Sequence, residues 1–287
     1  MEGGGDEPLR KQTTMNQDIR ILSRHTVLPA SIAEALQNEA ILCTLEQAAS
    51  IGEICDALLR GTADTALLPL HQVSLTLPEG VVITALTERK RPAECLLSLP
   101  DSVDASGMFG LPQNPVIGLS GLRRSVQMKD LLPDYQEVEL EGSFEEALHE
   151  LRSGAVHALL WPEMDLPETG ALQETGLNVL RFNPREFQPA PGQGVWAWLA
   201  CRDDVAIRRL LKKLHHPAVA AATNVERGAL RLLPETDRAS AGIYTDCDAQ
   251  GNYHVWASVA GTSALKRARL SSSTHFQLAE KVAAQFI

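Results

Sequence analysis

The sequence predicts an α/β protein: two α/β lobes resembling each other in element pattern, then a small α+β domain. Two observations carry this. From Asp18, apolar runs of strand length alternate with segments of helical periodicity, and the same alternation restarts near Pro115. The chain has 287 residues, and a prior of roughly 150 residues per domain allows about two domains or three small ones. In order, IRILS reads as a strand, PASIAEALQ and IGEICDALLRG as helices, and TALLPL, VVITAL and ECLLSL as strands. The second block runs from the strand PVIGLS through the helix LRRSVQMKDLLP, the strand QEVEL, the helix FEEALHELRSG and the strand HALLWP. Ser143 with Glu146 forms a capping box that starts the second of these helices. NVLRF and GVWAWLACR follow as strands, and the Pro-rich QPAPGQG between them reads as a crossing between lobes. Asp203 or Asp204 caps VAIRRLLKKLHHP; a helix runs from Pro217 to Leu233, a hairpin spans 242–261 with its turn near Gly251, and a helix closes the chain after His275.

These signals divide the chain into a tail (1–17), a discontinuous first lobe (18–100 with 188–203), a second lobe (101–187), a connecting helix (204–216) and a C-terminal domain (217–287). At 44% hydrophobic and 22% charged residues the composition is that of an ordinary folded chain. Twenty-six basic against 36 acidic residues give a formal charge of −10, which disfavours nucleic acid and anionic membranes as partners. No apolar run approaches the roughly 18 residues a membrane span needs. Five cysteines without a CxxC pair indicate neither a zinc site nor a disulfide framework and fit a reducing cytoplasm. No metal site is expected.

Four segments together resemble the porphobilinogen deaminase (hydroxymethylbilane synthase) family: IRILSRHTVLPA, GLSGLRRSVQ, PAPGQGVWAWLACRDD and LHHPAVAAATNVERGALRLL. The resemblance runs from about Asp18 to the C-terminus. It implies two lobes like those of periplasmic binding proteins plus a tail domain, and a transferase of tetrapyrrole biosynthesis that links four porphobilinogen units. In that family a third-domain cysteine carries a dipyrromethane primer, a first-domain carboxylate stabilises the cationic azafulvene, and cleft arginines hold acetate and propionate groups, as guanidinium forks do well. Arg24 and Thr26 match a family arginine and hydroxyl residue. Arg123 and Arg124, with Ser120 ahead of them, match the tandem arginines at a helix start, where an anion is favoured; the plainer reading is that they pair with carboxylates of this chain.

Other positions depart from the pattern. His71-Gln72 stand where the family has Lys-Asp, and a carboxylate about 4 Å from a developing cation is worth on the order of 4 kcal/mol at an effective dielectric near 20, about a thousandfold in rate. The register puts Asp237 at the primer cysteine, with Cys247 ten residues on. Glu141 and Ala147 replace two cleft arginines, and the Gly- and Lys-rich mobile loop between the first two helices is missing. From these departures follow the expectations of a catalytically degenerate family member, no bound cofactor, a pyrrole-type or other small carboxylate as ligand, a tetrapyrrole-pathway protein as possible partner, and a monomer. The alternatives are a divergent active deaminase using His71 or another carboxylate, and a small-anion binding module closing on Arg24 and Arg123-Arg124. His215-His216 reads as a helix terminus, the run Lys266, Arg267 and Arg269 as a solvated surface, and Trp196 and Trp198 as packing on one strand face.

Overall fold

The computed structural model describes residues 18–100, 107–167, 172, 175–262 and 264–287, so the tail expected at 1–17 lies outside the described residues. The first lobe is built on β1 (Asp18–Ser23), β2 (Leu42–Gln47), β3 (Thr65–Pro69), β4 (Val81–Leu86) and the returning β10 (Trp196–Cys201), in the order β2-β1-β3-β10-β4. The second is built on β6 (Val116–Leu119), β7 (Gln136–Glu139), β8 (Ala158–Pro162), β5 (Glu94–Ser98) and β9 (Asn178–Arg181), in the order β7-β6-β8-β5-β9. The two orders correspond strand for strand. In each lobe three parallel strands are followed by an antiparallel strand that arrives from the other lobe, β10 in the first and β5 in the second.

Central strands are apolar throughout because helices cover both faces. Every residue of TALLP (β3) is buried, and its side chains alternate: Ala66 and Leu68 enter one core, with Ile54 and Leu58, while Leu67 enters another with Ile21 and Trp198. The helices α1 (Ala30–Asn38) and α2 (Ile51–Arg60) flank this sheet, and α3 (Leu122–Leu131) and α4 (Phe144–Ser153) flank the second. The capping box is present: Ser143 Oγ accepts from Glu146 N and the Glu146 carboxylate accepts from Ser143 N. Of the two aspartates offered as a cap for α5 (Val205–Leu211), Asp204 serves, accepting from Ile207 N.

The C-terminal part comprises α6 (Pro217–Leu232), the short α7 (Glu235–Arg238), an antiparallel sheet of β11 (Gly242–Cys247), β12 (Tyr253–Ala260) and β13 (Leu265–Ser272), and α8 (Leu278–Ala283). Two adjacent residues of α6 fasten it to the rest. Buried Glu226 accepts from Arg89 Nη2 (2.7 Å), Gly192 N (2.7 Å) and Thr245 N (2.7 Å). Arg227 donates to the carbonyls of Leu70 (3.1 Å), Val73 (2.8 Å) and Ser74 (2.8 Å).

Two readings are corrected. The segment between α1 and α2 contains strand β2, whose largely exposed LCTLEQ pattern marks a sheet edge and lacks the apolar run that signals a central strand. The basic run is part of β13 and is engaged, not merely solvated: Arg267 pairs with Asp130 of α3 at 2.8 Å, and the Arg269 guanidinium lies over the Trp256 ring at 5.5 Å.

Candidate functional site

Each lobe ends its third strand in the same way. In β3 the chain reads LLP and then turns through a single 3-10 turn, Leu70–Gln72; in β8 it reads LWP and turns through Glu163–Asp165. Pro69 and Pro162 precede the two turns, each in an extended conformation, and each turn closes with an equivalent bond: Val73 N to Leu70 O and Leu166 N to Glu163 O, both 3.1 Å. Gln72 of the first lobe therefore corresponds to Asp165 of the second. Both line a cavity of ≈ 400 Å³ together with His71, Ser120, Arg123 and Arg124. A second cavity of ≈ 320 Å³ shares His71, Gln72 and Arg123 with it and reaches Arg227 and Arg238.

The tandem arginines come from the start of α3, after Gly121, whose φ of 89° suits a residue without a side chain. Their charges are largely committed inside the protein. Glu94, fully buried at the start of β5, bonds Arg123 Nη2 through one oxygen and Arg124 Nε (2.9 Å) through the other. Arg123 Nη1 donates to Gln188 O (3.0 Å) and Arg124 Nη1 to Ser120 O (2.8 Å). Burial alone would raise the Glu94 carboxyl, but the charges of Arg124 and Arg123 and the hydrogen bonds from both outweigh it and pull it down to about 2. Nη2 of Arg124 keeps no hydrogen-bond partner among the described residues, so it can donate to a guest.

Three residues lining the cavity carry a buried polar atom without a partner: His71 at Nδ1, Asp165 at Oδ1 and Trp161 at Nε1. Burial first, and then Arg124, push the His71 imidazole down to about 4, so it is neutral at pH 7. Burial pushes the Asp165 carboxyl up to about 6, against the opposing pull of Arg124. The site thus offers one carboxylate, one free guanidinium edge, a neutral imidazole, an amide and a hydroxyl.

The residues named from the sequence are distributed unevenly. Ser120, Arg123, Arg124, His71 and Gln72 converge on the cavity. Arg24 and Thr26 do not: both are exposed on the β1–α1 loop and line neither cavity. Asp237 sits in α7, accepting from Thr236 Oγ1 at 3.0 Å, beside Arg238 and Ala239, which reach the cavities. Cys247 is exposed at the far end of β11, and burial pushes the Cys95 thiol up to about 12; no cysteine lines either cavity among the described residues. Glu141 is exposed and Ala147 is buried in the second-lobe core. His215 Nδ1 accepts from Leu86 N at 3.1 Å, a structural role. Sequence reading missed Glu94 and Asp165. The parallel between LLPLHQ and LWPEMD was the available signal for Asp165.

Residues 21–209 match the family model described as "Porphobilinogen deaminase, dipyromethane cofactor binding domain". That description corrects the expectation of no cofactor, since a domain of this type is one that binds dipyrromethane. Curated relatives described as porphobilinogen deaminase include those of Syntrophobacter fumaroxidans, 35% identical over 64% of this chain and 57% of the relative, and Nitratidesulfovibrio vulgaris, 32% identical over 63% and 55%. A third, from Listeria welshimeri, is 30% identical over 64% and 58%. The chain thus aligns with little more than half the length of these relatives. Among solved structures, an arginine-specific periplasmic binding protein of Salmonella typhimurium is similar at 11% identity over 71% of this chain and 94% of that one, with a TM-score of 0.43. The OxyR2 regulatory domain of Vibrio vulnificus scores 0.45 at 15% identity over 73% and 96%.

Proposed function

The chain belongs to the porphobilinogen deaminase family, and from that premise we propose that it binds a pyrrole carboxylate in the inter-lobe cavity while deaminase turnover is lost or strongly attenuated. The observation that carries this is the turn Leu70–Gln72. Where the resemblance implies a lysine and a carboxylate, the turn presents an imidazole that burial keeps neutral and an amide. An amide cannot neutralise a developing azafulvenium, and losing that group corresponds to on the order of 4 kcal/mol, about a thousandfold in rate. The arginines beside it do not compensate, because a cation opposes a cation.

Binding has better support. The free Nη2 edge of Arg124 suits an acetate or propionate group, with Ser120 beside it on the same wall. Dipyrromethane carries such groups, and when bound it supplies the primer to which pyrrole units are joined; Arg124 and Ser120 are the residues here that fit its carboxylates. Incubating the full chain with porphobilinogen and measuring hydroxymethylbilane tests the proposal, alongside calorimetric titration of the same ligand. Binding with turnover at least a hundredfold below that of the Listeria welshimeri relative is expected. Turnover within tenfold of that relative, or no binding, overturns it.

A further inference from the structure

We propose that Asp165 receives the cationic end of the ligand, so that the cavity selects a pyrrole carboxylate bearing a protonated amine over one bearing carboxylates alone. This rests on the reading that the cavity holds a pyrrole carboxylate, and names which one.

The first support is the correspondence between the lobes. Asp165 occupies on the second-lobe turn the position that Gln72 occupies on the first, and both side chains border the same ≈ 400 Å³ space. The cavity lacks a carboxylate at one of the two equivalent positions and has one at the other.

The second support is hydrogen-bond accounting. An ionised carboxylate has about four acceptor sites, and a buried oxygen without a donor carries the full penalty of its desolvation. Oδ1 of Asp165 is such an oxygen. None of the guanidinium groups near it bonds it: Arg91 donates to the carbonyls of Leu166 (3.1 Å) and Pro167 (3.3 Å), Arg123 to Glu94 and Gln188, and Arg124 through Nε and Nη1 to Glu94 and Ser120, which leaves only its Nη2, the donor assigned to the guest's carboxylate. A guest ammonium, with three N–H donors, supplies what the protein does not.

The third is that the turn is fixed. Glu163 N donates to Ala93 O (2.9 Å), Arg181 Nε donates to Glu163 Oε1 (2.6 Å), and Arg91 grips the two residues that follow Asp165. The backbone on either side of Asp165 is therefore held in place before any ligand arrives, which favours selectivity. With Arg124 Nη2 bordering the same space, the site displays both signs. A ligand with an amine and a carboxylate matches both, whereas one with carboxylates alone sets a negative group against Asp165.

Calorimetric titration of the full chain with two probes tests this: porphobilinogen, and the same pyrrole acetate and propionate with a methyl group in place of the aminomethyl. The wild-type chain is expected to bind porphobilinogen at least tenfold more tightly, and Asp165→Asn to bring the two probes within about twofold. Equal binding of both probes by the wild-type chain overturns the inference and leaves the reading of the cavity intact. Binding of neither overturns both. A preference that survives in Asp165→Asn also overturns it. Turnover near that of the relative, abolished in Asp165→Asn with the preference lost, sinks the attenuated-turnover proposal while keeping the contact assigned to Asp165. Should Asp165→Asn fail to fold, the wild-type comparison and Asp165→Ser carry the test.

Discussion

Glu94 holds the tandem arginines in place, and replacing it by glutamine isolates what that arrangement contributes. The carboxylate is fully buried, and its partners Arg123 and Arg124 expose 9% and 15% of their side chains. At about 4 Å and an effective dielectric near 20, each attraction is on the order of 4 kcal/mol before desolvation is subtracted. Glu94→Gln keeps the shape and removes the charge, leaving two adjacent guanidinium groups with no anion between them, and breaking a buried pair in this way costs about 3–5 kcal/mol. At about 2–4 °C per kcal/mol for a domain of this size, the melting temperature should fall by roughly 10 °C. The freed donors border the ≈ 400 Å³ cavity, and that of Arg123 the second cavity also, so phosphate should bind the variant more tightly than the parent and recover part of the loss, since a ligand that binds only the folded state stabilises it. Thermal denaturation of both proteins with and without phosphate reads these effects together. A loss below about 1 kcal/mol, or a phosphate response the same in both proteins, would refute the view that Glu94 neutralises the pair.

Three further outcomes are expected. Because the folded-state value of Asp165 is raised to about 6, its ionised form costs stability at neutral pH and the cost disappears below about pH 4; Asp165→Asn should be more stable than the parent by up to about 3 kcal/mol at pH 7.5, at 1.36 kcal/mol per tenfold change in proton affinity, with the difference closing by pH 4 in urea titrations. His71 works in the opposite direction over part of that range, losing stability as pH falls from about 6.5 to about 4, but it is common to both proteins and cancels in the comparison. The double change His71→Lys with Gln72→Asp should raise hydroxymethylbilane formation by about a hundredfold or more, and an unchanged rate would show that the turn is not what limits turnover. Arg227→Met removes three bonds to the stretch that carries His71 and Gln72, and should speed amide exchange at Val73, whose N–H closes the turn, more than in β7; equal change in both would argue against a local clamp.

The lobes were legible because their central strands are continuous apolar runs and their helices carry strong end signals, as at Ser143–Glu146 and Asp204. Strand β2 was not, since an exposed edge strand carries little apolar pattern. For the site, the resemblance named Ser120, Arg123 and Arg124, which border the cavity with His71 and Gln72, and Arg24 and Thr26, which do not. The two carboxylates that set the electrostatics were invisible to local pattern. Glu94 opens a buried strand 29 residues before Arg123 in sequence, and Asp165 lies on a three-residue turn whose meaning emerges only when the two lobes are compared.

Glu226 links three stretches of chain that are remote in sequence: Arg89 on the way out of the first lobe, Gly192 on the way back, and Thr245 in the final sheet. A fragment ending at residue 209, where the family match stops, would leave the Arg89 guanidinium without its counter-ion at the junction both crossings pass through. The boundary drawn by sequence similarity therefore cuts through a single electrostatic knot, and the portion beyond it supplies the carboxylate that both crossings share.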